Sequence, residues 1–187
     1  MIGRVKRKIV LYYKTKIKHQ KINDIKIDEW RKTGITIGDN CIFCSDLPVG
    51  RDSSLLEFGD NVLTSVGVLF LMHDAAPTTV SNGQGTDYLG RIKVGNRCFI
   101  GARAIIMPGV TLADDTVVGA GSVVTHSINE PGYVICGNPA KIICTVQEYL
   151  DKNKDKLVNL NGMGYEEVKR LTTENPDVLL FRSPFKT

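Results

Sequence analysis

The sequence predicts an all-β solenoid, a chain winding through short strands, and three observations carry that prediction. An aliphatic residue recurs at every sixth position, at Val94, Ile100, Ile106, Leu112, Val118 and Val124. Glycine is in surplus, 18 in 187 residues against a usual ~7%, whereas aromatics supply only 7%. Gly-Asp-Asn stands at 38–40 and again at 59–61, with Gly-Asn at 95–96, and these residues tolerate φ > 0 in tight turns. An α-helix would rotate by about 600° over six residues and scatter the aliphatics around its axis. An extended chain that turns at a small residue points each of them inward instead.

The elements follow in order. Residues 1–34 form a basic segment: eleven Lys and Arg against three Asp and Glu within 1–32, a local +8, leave −4 for the remaining 155 residues of a chain whose net charge is +4. With Ile9, Val10, Leu11, Tyr12, Tyr13 and Ile17 interleaved, residues 1–20 admit peripheral contact with an anionic membrane. A solvated segment packing on or beside the solenoid is the preferred reading. No recognition motif accompanies the charge, so nucleic acid is not an expected partner. Five irregularly spaced cysteines and no secretory signal favour reduced thiols and a cytoplasmic location.

Residues 35–145 carry the repeat. Coils are predicted to start at Ile37, Phe58, Val94 and Leu112, with third faces at Val49, Phe70, Ile106 and Val124. Phe43 and Thr64 are weaker inward positions, and a three-residue slip is placed at Leu55–Glu57. The fifth place of each hexad is Cys98, Ala104, Val110, Thr116 and Ser122. Residues 76–93, APTTVSNGQGTDYLGRIK, have the composition of a loop excursion, and long loops on a rigid scaffold commonly carry function. Residues 146–187 are predicted to be a helical cap and tail. An amphipathic helix in TVQEYLDKNKDKLVNL would close the open end, and a second in GYEEVKRLTTENPDVLLF would end near Asn175 and Pro176.

The segment IGARAIIMPGVTLADDTVVGAGSVVTHSINEPGYVICGNPAKII, residues 100–143, resembles the hexapeptide-repeat acyltransferases, in their xenobiotic and sugar O-acetyltransferase branch. The resemblance implies a left-handed parallel β-helix and an acetyl-CoA-dependent acetyltransferase acting on a hydroxyl of a sugar or other small acceptor. It also implies a homotrimer with active sites between subunits. Periodicity alone does not give the hand, which is opposite to the usual crossover rule.

Acyl transfer from a thioester needs a base for the attacking group, and imidazole suits that task near neutral pH. Of His19, His73 and His126, only His73 stands at a corner beside the long loop, and LMHD resembles the family's catalytic position. Asp52 occupies the matching place one coil earlier, where it would orient the imidazole or bind an acceptor hydroxyl. Asp74 and Tyr88 are further acceptor-binding candidates.

Ala102 and Ala120, 18 residues apart, should stack and leave a smooth groove for a pantetheine arm. The resemblance assigns acetyl-CoA contacts to Ala102, Ala120 and Thr125. It places His126 where a basic residue is common, and Lys141 of GNPAK near the CoA phosphates. No metal is expected, because three clustered zinc-binding histidines are missing. Amino-sugar N-acetylation on a nucleotide-linked sugar and a non-catalytic scaffold remain the alternatives.

Overall fold

The computed structural model describes residues 21–180, so the proposed membrane-contacting arm, residues 1–20, lies outside the described residues. Two compact units divide the chain after Val146. In the first, the strands are β1 (Thr36–Ile37), β2 (Ile42–Phe43), β3 (Leu56–Phe58), β4 (Leu63–Thr64), β5 (Leu69–Phe70), β6 (His73–Asp74), β7 (Tyr88–Leu89) and β8 (Ile92–Val94). They continue as β9 (Phe99–Ile100), β10 (Ile105–Ile106), β11 (Thr111–Leu112), β12 (Val117–Val118), β13 (Val123–Val124), β14 (Tyr133–Gly137) and β15 (Ala140–Thr145).

Three sheets form the faces of a coil. The first is β1-β3-β8-β11, the second β2-β4-β9-β12-β14 with β15 at its end, and the third β5-β10-β13. Registers align Ile37, Phe58, Val94 and Leu112 on the first face and Phe43, Thr64, Ile100, Val118 and Ile135 on the second. Phe70, Ile106 and Val124 align on the third. All these pairings are parallel, and the chain visits the faces in one repeating order, so the interval of six is the width of one face. The residues at the fifth hexad place, Cys98, Ala104, Val110, Thr116 and Ser122, are all buried beside the stacked aliphatics. Thr116 and Ser122 offset the cost of burying a hydroxyl by donating to the carbonyls of Ala113 and Gly119, each at 2.7 Å.

The first coils depart from this pattern. Val49 does not point inward: it is exposed, and Leu47 is buried in its place. The slip lies at the 3-10 turn Ser53–Leu55, two residues earlier than predicted, and Glu57 sits in register with Thr36 and Lys93. Ser53 fixes that turn, its buried hydroxyl donating to the Gly50 carbonyl and accepting from the Gly50 N–H, both at 2.8 Å. The excursion returns to the coil at Ile92, which pairs with Leu56, so it ends at residue 91 and not 93.

The N-terminal end of the coil is plugged by helix α1 (Ile22–Arg31), which buries Ile25, Ile27 and Trp30. Trp30, Phe43, Phe58 and Phe70 form an edge-to-face series with successive centroids 5.5, 5.0 and 5.1 Å apart, each such pair adding about 0.5–1.5 kcal/mol beyond burial. Two side chains of α1 serve the exposed strand edges, which would otherwise leave backbone groups unpaired. Asn23 donates to the Cys41 carbonyl at 2.8 Å and accepts from the Phe43 N–H at 3.0 Å. Arg31 donates to the Ile37 carbonyl at 2.8 Å and the Gly38 carbonyl at 2.9 Å.

The corner between the first and second faces is a side-chain ladder. Asp60, Asn96 and Asp114 each accept, through Oδ1 at 2.8 Å, the N–H of Asp39, Asp60 and Asn96 respectively. Left-handed φ falls at Asn40 and Asn61, the last residue of each Gly-Asp-Asn, and at Arg97 and Asp115, so in the Gly-Asn turn it lies one residue after the asparagine. Gly59 and Gly95 are required for room: a Cβ on them would lie 2.5 Å from Asn96 Oδ1 and 2.6 Å from Asp114 Oδ1.

At the far end the antiparallel β14–β15 pairing covers the edge of the second face. A helix spans Val146–Asp151, where the second unit begins, and a further helix, Tyr165–Glu174, lies within that unit. The first is shorter than predicted, and Tyr149, Leu150 and Leu157 are exposed. The second begins where the Gly164 N–H donates to Glu167 Oε2 at 2.6 Å. Among the described residues, no helix is long and apolar enough to cross a membrane.

Candidate active site

The site is built where the repeat breaks. After Phe70 the chain leaves the third face, and β6 pairs antiparallel with β7, setting His73 opposite Leu89 and Asp74 opposite Tyr88. The Gly90 N–H donates to the Met72 carbonyl at 2.8 Å and closes the base of the excursion. Asp52 immediately precedes the 3-10 turn of the preceding coil, and its Oδ2 lies 2.6 Å from His73 Nδ1. The extra residues of the slip thus put the carboxylate in hydrogen-bonding contact with the ring, closer than the ~5 Å spacing of stacked strands.

Asp52 is the more enclosed member: its side chain is 16% exposed and that of His73 52%. The His73 hydrogen bond holds the Asp52 carboxyl below its usual range, against the opposing effect of burial. A charged carboxylate accepts a hydrogen bond and has none to give, so Nδ1–H is the donor of this contact, and in the neutral ring Nε2 carries the free lone pair. That arrangement suits a base.

Both residues line a cavity of about 450 Å³. The turn supplies Arg51, Asp52, Ser54 and Leu55, and the excursion supplies Thr86, Asp87 and Leu89. Sequence reasoning missed all of these except Asp52. The loop composition marked residues 86–89 only collectively, and Gly-Arg-Asp at 50–52 beside the slip was the available signal for Arg51.

Asp74 and Tyr88 flank this cavity without lining it. Asp74 Oδ1 accepts from the Ala76 N–H at 2.9 Å, a local turn contact, and Tyr88 is 70% exposed. Ala102 and Ala120 stack as expected, at the corner between the second and third faces, where the Gly121 N–H donates to the Ala102 carbonyl at 2.8 Å. A Cβ on the adjoining Gly101 would meet Ala120 N at 2.5 Å, so position 101 admits only glycine, while Arg103 takes the left-handed φ at the same corner. Ala102 is half-buried there and Ala120 exposed.

Thr125 and His126 stand at the corner after the third face, in contact at 2.8 Å from Oγ1 to Nδ1, two strands along from His73. Lys141, exposed on β15, is paired in register with Cys136. Within one chain, then, the candidate base and the alanine groove occupy different corners.

A repeat of short parallel strands with a histidine–carboxylate pair at a broken corner defines a class, the acyltransferases of the hexapeptide-repeat type. A family model described as the hexapeptide repeat of succinyl-transferase matches residues 91–126. Protein CapG of Staphylococcus aureus is 36% identical over 145 residues, 76% of this chain and 84% of CapG. Galactoside O-acetyltransferase of Escherichia coli (strain K12) is 35% identical over 122 residues, 65% of this chain and 58% of that enzyme's length. A hexapeptide-repeat acetyltransferase of Vibrio cholerae O1 biovar eltor, solved in complex with acetyl coenzyme A, is 25% identical with a TM-score of 0.50, covering 60% of both chains. The chain belongs to the hexapeptide-repeat acetyltransferase family.

Proposed function

We propose that the chain transfers an acetyl group from acetyl-CoA to a hydroxyl of a sugar or other small acceptor, with His73 as general base. The observation that carries this is the Asp52–His73 contact at 2.6 Å within a cavity of acceptor size. The name of the galactoside O-acetyltransferase supports the hydroxyl acceptor, and the acetyl-CoA complex of the Vibrio enzyme supports the donor.

In this reading Asp52 holds the Nδ1–H, and Nε2 takes the hydroxyl proton as the acceptor oxygen bonds to the thioester carbonyl carbon. Backbone N–H groups stabilise the oxyanion that forms. The C–S bond then breaks, and the imidazolium returns its proton to the departing CoA sulfur. No acyl-enzyme is required.

The donor would lie along Ala102 and Ala120, reaching Thr125, His126 and Lys141. Separation of that corner from His73 within one chain supports a trimer, in which one subunit's base faces a neighbour's groove. The left hand of the coil, a capping role for the C-terminal helices and a cytoplasmic location belong to the same proposal.

Free CoA release with a thiol reagent, across a panel of sugars, tests it. Acceptor-dependent release should fall by about 10²–10⁴-fold in His73→Ala. Release from no acceptor, or equal release in the variant, overturns the reading.

A further inference from the structure

The cavity beside His73 carries two charges with no part in the Asp52–His73 pair. Arg51 stands on the clamped turn and Asp87 on the excursion, and both line the cavity. The other basic side chains near them are engaged: Arg91 and Lys93 both pair with Glu57. Arg51 forms neither an ion pair nor a side-chain hydrogen bond among the described residues, and its only noted interaction is its field on the adjacent Asp52. The turn that carries it is held at the preceding residue, where the Ser53 hydroxyl bonds both polar groups of the Gly50 backbone. An exposed arginine on a pinned turn, at the mouth of a site, presents a planar fork of donors suited to a carboxylate or phosphate.

Asp87 sharpens the assignment. With no ion pair or side-chain hydrogen bond among the described residues, its carboxylate is free to accept sugar hydroxyls and repels an anion, so the cavity is polarised between the turn and the excursion. A neutral sugar uses only half of that polarity. We infer that Arg51 determines acceptor specificity by binding an anionic substituent, a carboxylate or a phosphate, on a sugar whose hydroxyls face Asp87 and His73. The inference rests on the acetyl-transfer reading for its reaction but not for its binding.

The test compares glucose, glucuronate and glucose 6-phosphate as acceptors at saturating acetyl-CoA, in the full chain and in Arg51→Gln and Arg51→Lys. The wild type should prefer an anionic sugar, and Arg51→Gln should lower the ratio of kcat/KM for anionic over neutral acceptors by about 10–100-fold. Arg51→Lys should retain part of the ratio, since it keeps the charge without the fork. A loss confined to glucuronate names the carboxylate, and one confined to glucose 6-phosphate names the phosphate. An unchanged ratio, a wild-type preference for glucose, or a rise in KM for acetyl-CoA alone would overturn the assignment. Calorimetric titration of each sugar without acetyl-CoA separates the two claims. Anion binding lost in Arg51→Gln, with no transfer to any acceptor, supports the Arg51 assignment and removes the enzymatic reading. Transfer without anion preference does the reverse.

Discussion

Residues 92–124 and residues 42–74 are built from the same repeat and differ in how strictly they keep it. In the first, Val94, Ile100, Ile106, Leu112, Val118 and Val124 follow one another without interruption, and each is buried to 3% exposure or less. In the second, a 3-10 turn interrupts one coil and an excursion leaves the next, and Phe43, Phe58 and Phe70 replace aliphatics inside. The corners of the regular stretch carry charged side chains, Arg97, Arg103, Asp114 and Asp115, but no histidine. The irregular stretch holds Asp52 against His73 and encloses the cavity. A strict repeat places chemically equivalent residues at equivalent points, so a unique constellation requires a break in it.

That contrast can be tested from both sides. Ile106→Ala, in the regular stretch, should cost about 2–5 kcal/mol of stability in denaturant unfolding while leaving kcat of the folded enzyme within about twofold. A large kcat loss at equal stability would break the division of labour.

Asp52→Asn should lower kcat by on the order of 10²-fold with little change in KM for acetyl-CoA, because the imidazole loses the partner that fixes its protonated nitrogen. The same variant should respond differently to acid. The depressed pKa of Asp52 means its native carboxylate contributes stability above the ordinary aspartate pKa of about 3.9. That contribution is lost as pH falls through the lower native value. The stability of the asparagine variant should therefore fall less steeply below about pH 4, as read by urea midpoints across pH. Equal slopes in both proteins would remove Asp52 from that accounting.

The smallest effect is expected at Gly95. An alanine there places a Cβ 2.6 Å from Asp114 Oδ1 and 2.7 Å from its backbone N, an overpacking cost of about 1–3 kcal/mol. A thermal midpoint equal to wild type would show that the ladder yields more readily than its geometry suggests.

The regular stretch was legible in the sequence because one residue type at one interval encodes one inward position. Phe70, Ile106 and Val124 align as the interval required. Val49 misled because its spacing fits while the turn behind it diverts the chain, so Leu47 packs instead. The N-terminal helix was expected only as a segment packing on or beside the solenoid, because α1, INDIKIDEWR, intersperses its isoleucines with Asp, Glu, Lys and Arg, and only Ile25, Ile27 and Trp30 mark its buried side.

His73 could be singled out because histidine is scarce, the loop beside it is long, and above all LMHD resembles the family's catalytic position. Arg51 and Asp87 could not, since an exposed charge in a loop reads as solvated until a cavity is seen around it. Asp52 was placed by counting coils, but contact with His73 depended on the slip, whose position the interval alone left two residues out.

The claim that the broken coils hold the chemistry is tested most directly by a crystal structure of the protein with a sugar acceptor and CoA. The account predicts a hydroxyl of the sugar within hydrogen-bonding distance of His73 Nε2, in the cavity between the turn at Asp52 and the excursion. A sugar bound against the strict hexads, away from His73, would contradict it.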